Sequence, residues 1–106
     1  FDGGTIVNRD RVRAQMEGSV INGMTYALYG GVTHAKGAVQ QTSFDTLQLV
    51  RMGQEPVKIH VDIISSDAPP GGVGEPGLPP VAPAIGNAIF ALTSQRSRQL
   101  PLNWSV

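Results

Sequence analysis

Pro69-Pro70-Gly71-Gly72-Val73-Gly74-Glu75-Pro76-Gly77-Leu78-Pro79-Pro80 separates two segments with different hydrophobic periods. Before it, Val57, Ile59, Val61 and Ile63 alternate with Lys58, His60 and Asp62. That alternation is the mark of a strand with one buried face. Ser65-Ser66-Asp67 ends the run. After the glycine- and proline-rich stretch, Val81, Ile85, Ala88, Ile89 and Leu92 recur at helical spacing. Pro80 and Pro83 fall in the first turn of this helix, where a missing N–H costs little. The helix is expected to fray near Ser94, and Pro101 prevents its resumption. The tail Leu100-Pro101-Leu102-Asn103-Trp104 reads as an extended segment lying on other parts of the protein.

Toward the N-terminus, Thr5-Ile6-Val7 reads as a short strand, with Asn8 and Asp10 both suited to cap a helix. From Arg11, Val12, Met16, Val20 and Met24 recur every fourth residue, beside Ile21, Ala27 and Leu28. This predicts an amphipathic helix of about five turns, stopped at Gly30-Gly31. Gly18 and Gly23 lie inside it, and each costs on the order of 1 kcal/mol relative to alanine. Tight packing against another helix, or close approach of a bulky ligand, would explain them. Val32 to Gln41 predicts a hairpin with Lys36-Gly37 at its tip. Residues 42–56 show no regular pattern. Strands and helices do not alternate as βαβ units. The expected fold is therefore α+β, two helices packed on a small, mainly antiparallel sheet.

The chain has 106 residues, one domain or part of one, and its formal net charge is zero. No basic excess points to nucleic acid. The absence of cysteine excludes disulfides, thiolate metal sites and iron–sulfur ligation within these residues. No apolar run approaches the roughly 20 residues of a membrane-spanning helix.

Gly72-x-Gly74-x-x-Gly77 formally matches a dinucleotide-binding pattern, but its context does not fit. The strand ends well before the first glycine, and Pro76, Pro79 and Pro80 remove N–H donors that a phosphate would need. About 20 residues further on stand Gln95 and Arg96, with no acid to hold a ribose. His34 and His60 lack acidic companions at metal-ligand spacing, so no residue is assigned as a metal ligand. No Gly-x-Ser-x-Gly elbow is present. What remains is Glu75, in a turn stiffened by proline and free of bulky side chains. Such a turn suits the presentation of one acid and several N–H groups to a large cofactor. It equally suits a solvated surface turn.

Two separated motifs carry a resemblance. Gln15-Met16-Glu17-Gly18-Ser19 looks like the Gln-x-Glu-Gly motif of the xanthine dehydrogenase/aldehyde oxidase family, and Gly72-Val73-Gly74-Glu75-Pro76 looks like its Gly/Ala-Val-Gly-Glu-Pro motif. Their order, their spacing and the alanine-rich helix Ala82 to Ala91 also match. Pro69-Pro70-Gly71-Gly72 and Arg98-x-Leu100-Pro101-Leu102 resemble the isoquinoline 1-oxidoreductase-like branch. The resemblance covers about Gly3 to Leu102. Ser19 departs from it, because many relatives have a second glycine there. Thr46-Leu47-Gln48 departs too, where relatives often carry an aromatic.

The resemblance implies that residues 1–106 form the C-terminal segment of the molybdopterin-binding domain of a large subunit. It implies that Glu75 is the catalytic base beside the molybdenum. There it would deprotonate a metal-bound hydroxyl that attacks the substrate carbon, while hydride passes to a sulfido ligand. Gln15 would bond the pterin, and Gly72, Val73 and Gly74 would form the loop close to metal and pterin. The cofactor implied is molybdenum–molybdopterin in its cytosine dinucleotide form, with iron–sulfur clusters on a partner domain or small subunit. The partners implied are the remainder of the large subunit, the iron–sulfur subunit and a small-molecule substrate, an N-heterocycle or an aldehyde. Without the rest of the subunit, the helices are expected to show unfinished apolar surface. A membrane-associated aldehyde dehydrogenase of the same family and a non-catalytic assembly module are the alternatives. The compartment, bacterial cytoplasm or periplasm, is not legible.

Overall fold

In the computed structural model, which describes residues 1–102, the first helix, α1, spans Arg9–Leu28. It starts two residues earlier than its hydrophobic period suggests. Asn8 caps it: its side-chain Oδ1 accepts from the Arg11 N–H at 3.0 Å. Asp10 lies in the first turn, where the helix dipole favours a negative charge, and pairs with Arg13 at 3.6 Å. The helix ends at Tyr29, whose N–H donates to Thr25 O at 2.9 Å. Asn8→Ala is expected to lower stability by about 1 kcal/mol, read as a shift in denaturant midpoint for the complete protein. An unchanged midpoint would show that α1 is held entirely by packing.

The hairpin forms as its turn residues require. β1 (His34–Ala35) and β2 (Ala38–Val39) pair antiparallel, with His34 opposite Val39 and Ala35 opposite Ala38. Lys36 and Gly37 both have positive φ, at 52° and 78°, the backbone of a two-residue turn that follows strand twist. The second helix, α2, spans Val81–Thr93, with Pro80 at its N-cap and Pro83 in its first turn. Ser94 closes it in the left-handed conformation.

The α+β expectation holds, with two helices and one antiparallel pair among the described residues. The helices pack against each other, while the short hairpin makes no contact with either of them. Two expected strands do not form as ladders. Thr5-Ile6-Val7 is irregular, and residues 57–63 are extended, with no backbone pairing along 57–61. Alternation along 57–63 is nonetheless present in burial: Ile59, Val61 and Ile63 are half-buried, and Lys58, His60 and Asp62 are exposed. The physical reason is the lack of a partner strand beside 57–61 among the described residues. Of the expected extended tail, Leu102 is buried and its N–H donates to Ala27 O at 2.7 Å. Asn103 and Trp104 lie outside the described residues.

The core is small. Among the described residues, its buried apolar members are Val12, Met16, Ala27, Val81 and Leu102, and no large side chain is fully enclosed. Val7, Tyr26, Phe44, Met52, Val57 and Leu92 are exposed, Leu92 at 84% near the end of α2.

Candidate active site

The buried stripe of α1 runs through Met16, Ser19, Gly23 and Ala27. These side chains are mostly small, so other backbone comes close. A Cβ on Gly23 would stand 2.6 Å from Val81 Cβ and 3.1 Å from Leu78 O. Real atoms do not approach so closely, so Gly23 is the residue that lets the start of α2 lie on α1. One turn earlier, a Cβ on Gly77 would stand 2.8 Å from Ser19 Cβ and 3.3 Å from Met16 Sδ. Ser19 is held in turn, its hydroxyl donating to Gln15 O at 2.7 Å. Close approach thus persists at Ser19 despite the added hydroxymethyl, because the missing side chain belongs to Gly77.

Two interdigitations, at Gly77 and Gly23, fix the glycine loop against α1. The loop is also tied at its other end: Gly71 N–H donates to Gly3 O at 2.8 Å, and Thr5 N–H to Ala68 O at 2.9 Å. Gly4 makes that tie possible. Its φ is +72°, and a Cβ there would overlap Pro69 O. Glu75 lies between these anchors, and its own carbonyl accepts from Leu78 N–H at 3.0 Å.

The result is an open cleft of about 430 Å³ bounded by Gln15, Gly18, Asn22, Gly74, Glu75 and Leu78, among others. Gln15 and Glu75, distant in sequence, share it. Both are exposed to it, and neither side chain bonds another described residue. A Cβ on Gly74 would come 3.7 Å from Gln15 Nε2, so a side chain there would just reach ordinary contact with the glutamine amide. Gly18 faces the cleft with nothing within 4 Å of a would-be Cβ. Gly72 is likewise open, and Val73, half-buried, packs toward Gly3. Among the described residues, the N–H groups of Gly72, Val73, Gly74 and Glu75 have no protein acceptor.

The two internal glycines of α1 therefore differ. Gly23 serves packing, and Gly18 leaves space. Asn22 was not singled out from the sequence. It stands on the Gln15–Gly18 face of α1, two turns beyond Gln15, and helical spacing carries that signal. His34 and His60 are exposed and outside the cleft. Among the described residues, no three His, Asp or Glu side chains gather as a metal shell. No helix there is long and apolar enough to cross a membrane.

No family model matches the chain. It is 42% identical over 101 residues to the beta chain of isoquinoline 1-oxidoreductase from Brevundimonas diminuta, covering 95% of this chain and 13% of that protein. Over the same share of this chain, it is 34% identical to a membrane-bound aldehyde dehydrogenase [pyrroloquinoline-quinone] of Gluconacetobacter polyoxogenes, covering 13% of it. A nicotinate dehydrogenase subunit of Pseudomonas putida is 32% identical over 101 residues, 8% of its length. All three relatives are oxidoreductases by name, and two are named as subunits. The chain belongs to the xanthine dehydrogenase/aldehyde oxidase family. Within it, the match is to the C-terminal part of the large subunit, on the isoquinoline 1-oxidoreductase beta-subunit-like branch. The chain spans about an eighth or less of the length of these relatives.

Proposed function

We propose that residues 1–106 are the C-terminal segment of the cofactor-binding domain of a molybdenum hydroxylase, with Glu75 as its general base. The observation that carries this reading is the meeting of Gln15 and Glu75 on one cleft. Packing at Gly23 and Gly77 holds them there.

The residues present fit a molybdenum–molybdopterin cofactor. Gly18 leaves a cradle that a Cβ would begin to fill, and four successive backbone N–H groups stand ready to donate. Gln15 and Asn22 add amides that both donate and accept, suited to the polar edge of a pterin. When bound, in its cytosine dinucleotide form, the cofactor supplies the oxidising metal centre that takes an electron pair from the substrate. This chain's residues do the rest of the local work. Gln15 orients the pterin. Gly72, Val73 and Gly74 allow close approach. The Glu75 carboxylate takes the proton of the water-derived oxygen that attacks the electrophilic carbon of an N-heterocycle or aldehyde. Iron–sulfur clusters to take up the electrons would be held on a partner domain or small subunit, since no cysteine is available in this chain to ligate them.

The exposed faces of α2 and of residues 57–63 support burial against the remainder of the large subunit. The likeness to the membrane-bound aldehyde dehydrogenase favours, as a second reading, an aldehyde oxidiser at a membrane. Glu75 and Gln15 serve both equally.

Metal and pterin analysis of the purified complete complex separates these enzymes from an assembly module. Molybdenum and pterin in equal amounts are expected. A complex purified with neither would make the segment a scaffold.

A further inference from the structure

Residues 57–61 have the side-chain pattern of a strand but none of its hydrogen bonds. Ile59 and Val61 are half-buried, and residues 59–62 border an open pocket of about 170 Å³ with Phe1, Met16, Val20 and Gly77. Lys58 and His60 face outward, and Val57 is fully exposed. Yet no backbone N–H or C=O from 57 to 61 is bonded among the described residues. A solvated loop has no need of alternation, and a strand packed on a helix does not leave a run of backbone groups unpaired.

The next residues show how the ladder begins. Phe1 N donates to Asp62 O at 2.9 Å, and Ile64 N–H donates to Phe1 O at 2.8 Å. One residue bonding to both neighbours of the residue opposite is the pattern of a parallel ladder, with Phe1 opposite Ile63. Continued backward, that register runs directly along 62, 61, 60, 59 and 58.

We infer that residues 57–63 are a parallel strand of the complete subunit, and that their partner is the stretch of large subunit leading into Phe1. This rests on the chain being the C-terminal part of that subunit. The relatives' length supplies the missing stretch, since the matched residues are 13% of the first relative. The occupant follows from continuity, because a strand passing through Phe1 is the one that extends the bridge already made. The residue immediately before Phe1 would lie opposite Asp62, and the third before it opposite His60. The N–H groups of His60 and Asp62, whose side chains face solvent, would then be donors in the ladder.

Two readings on the complete subunit test this. In the unsubstituted protein, hydrogen exchange at His60 and Asp62 is expected to be about 100-fold or more slower than in an unstructured peptide. In a second form, cysteine replaces the third residue before Phe1 and His60→Cys supplies its partner. Adjacent strands lie about 4.8 Å apart, within disulfide reach. Mild oxidation is expected to join these cysteines within one polypeptide, and the Lys58→Cys form, displaced in register, is not. Peptide-level exchange as fast as in an unstructured peptide across 57–62 overturns the inference. So does protection with no His60→Cys disulfide, or with one between two copies, since either places another strand there. Cofactor content is measured on the same sample. Fast exchange in a loaded subunit removes this inference alone. A protected strand in a subunit without molybdenum removes the cofactor reading alone.

Discussion

Glutamine in place of Glu75 in the complete enzyme is expected to lower turnover by about 10²–10⁴-fold while leaving cofactor content unchanged. The substitution keeps the shape of the side chain and its capacity for hydrogen bonding. It removes only the ability to take up a proton. The fold has little reason to respond. Glu75 is exposed, and its side chain bonds no other described residue. Exposed substitutions of that kind usually stay within about 0.5 kcal/mol. A 100-fold loss corresponds to about 2.7 kcal/mol in the barrier, well outside that range. The loss would therefore be chemical. The check is kcat beside molybdenum and pterin measured on the same preparation. Normal turnover at full cofactor content would move the base elsewhere.

The second large effect is expected at Gly23. Valine there would place its Cβ 2.6 Å from Val81 Cβ and 3.1 Å from Leu78 O. Neither atom lies at the free end of a flexible side chain, so the start of α2 must move off α1. Overpacking of this kind costs about 1–3 kcal/mol. The displacement also reaches the chemistry, because Leu78 is separated from Glu75 only by Pro76 and Gly77. A shift of about 1 Å in a catalytic group costs on the order of 100-fold. Gly23→Val is thus expected to lower both melting temperature and turnover. Gly18→Ala provides the contrast. No atom lies within 4 Å of its would-be Cβ, and helix propensity favours alanine by about 1 kcal/mol. Melting temperature should hold or rise, while cofactor content falls because the methyl group enters the cleft. Unchanged cofactor content and turnover in Gly18→Ala would show that the cofactor does not lie against α1 at that turn.

The contrast between these glycines marks where sequence reading stops. Both interrupt the same helical period, and both carry the same propensity cost. What distinguishes them is what lies across the helix, Val81 at one and open space at the other. The elements set by local chemistry were legible. Asn8 signalled the start of α1, Lys36-Gly37 formed the turn between β1 and β2, and Val81-to-Leu92 spacing placed α2. The packing seam was not. Its members Ser19, Gly23 and Ala27 are too small or too polar to stand out in a hydrophobic period, which Val20 and Met24 dominate although both are only half-buried. Residues 57–63 were legible as a pattern and not as an element, since a ladder needs a second strand and a pattern does not.

The candidate site divides in the same way. Gln15 and Glu75 were found by motif, and the fold brings them to one cleft. Asn22 belongs to no motif, and its place emerges only when α1 is seen from the loop. The reason that Gly77 is glycine, its contact with Ser19, is likewise tertiary.

A structure of the complete, cofactor-loaded subunit tests the central claim most directly. The predicted result is the pterin against Gln15 and Gly18, with a Glu75 carboxylate oxygen within about 2.6–3.2 Å of the reacting oxygen or one water away from it. A cofactor seated elsewhere, with Glu75 facing bulk water and the Gln15–Gly18 cleft filled by protein, would contradict it.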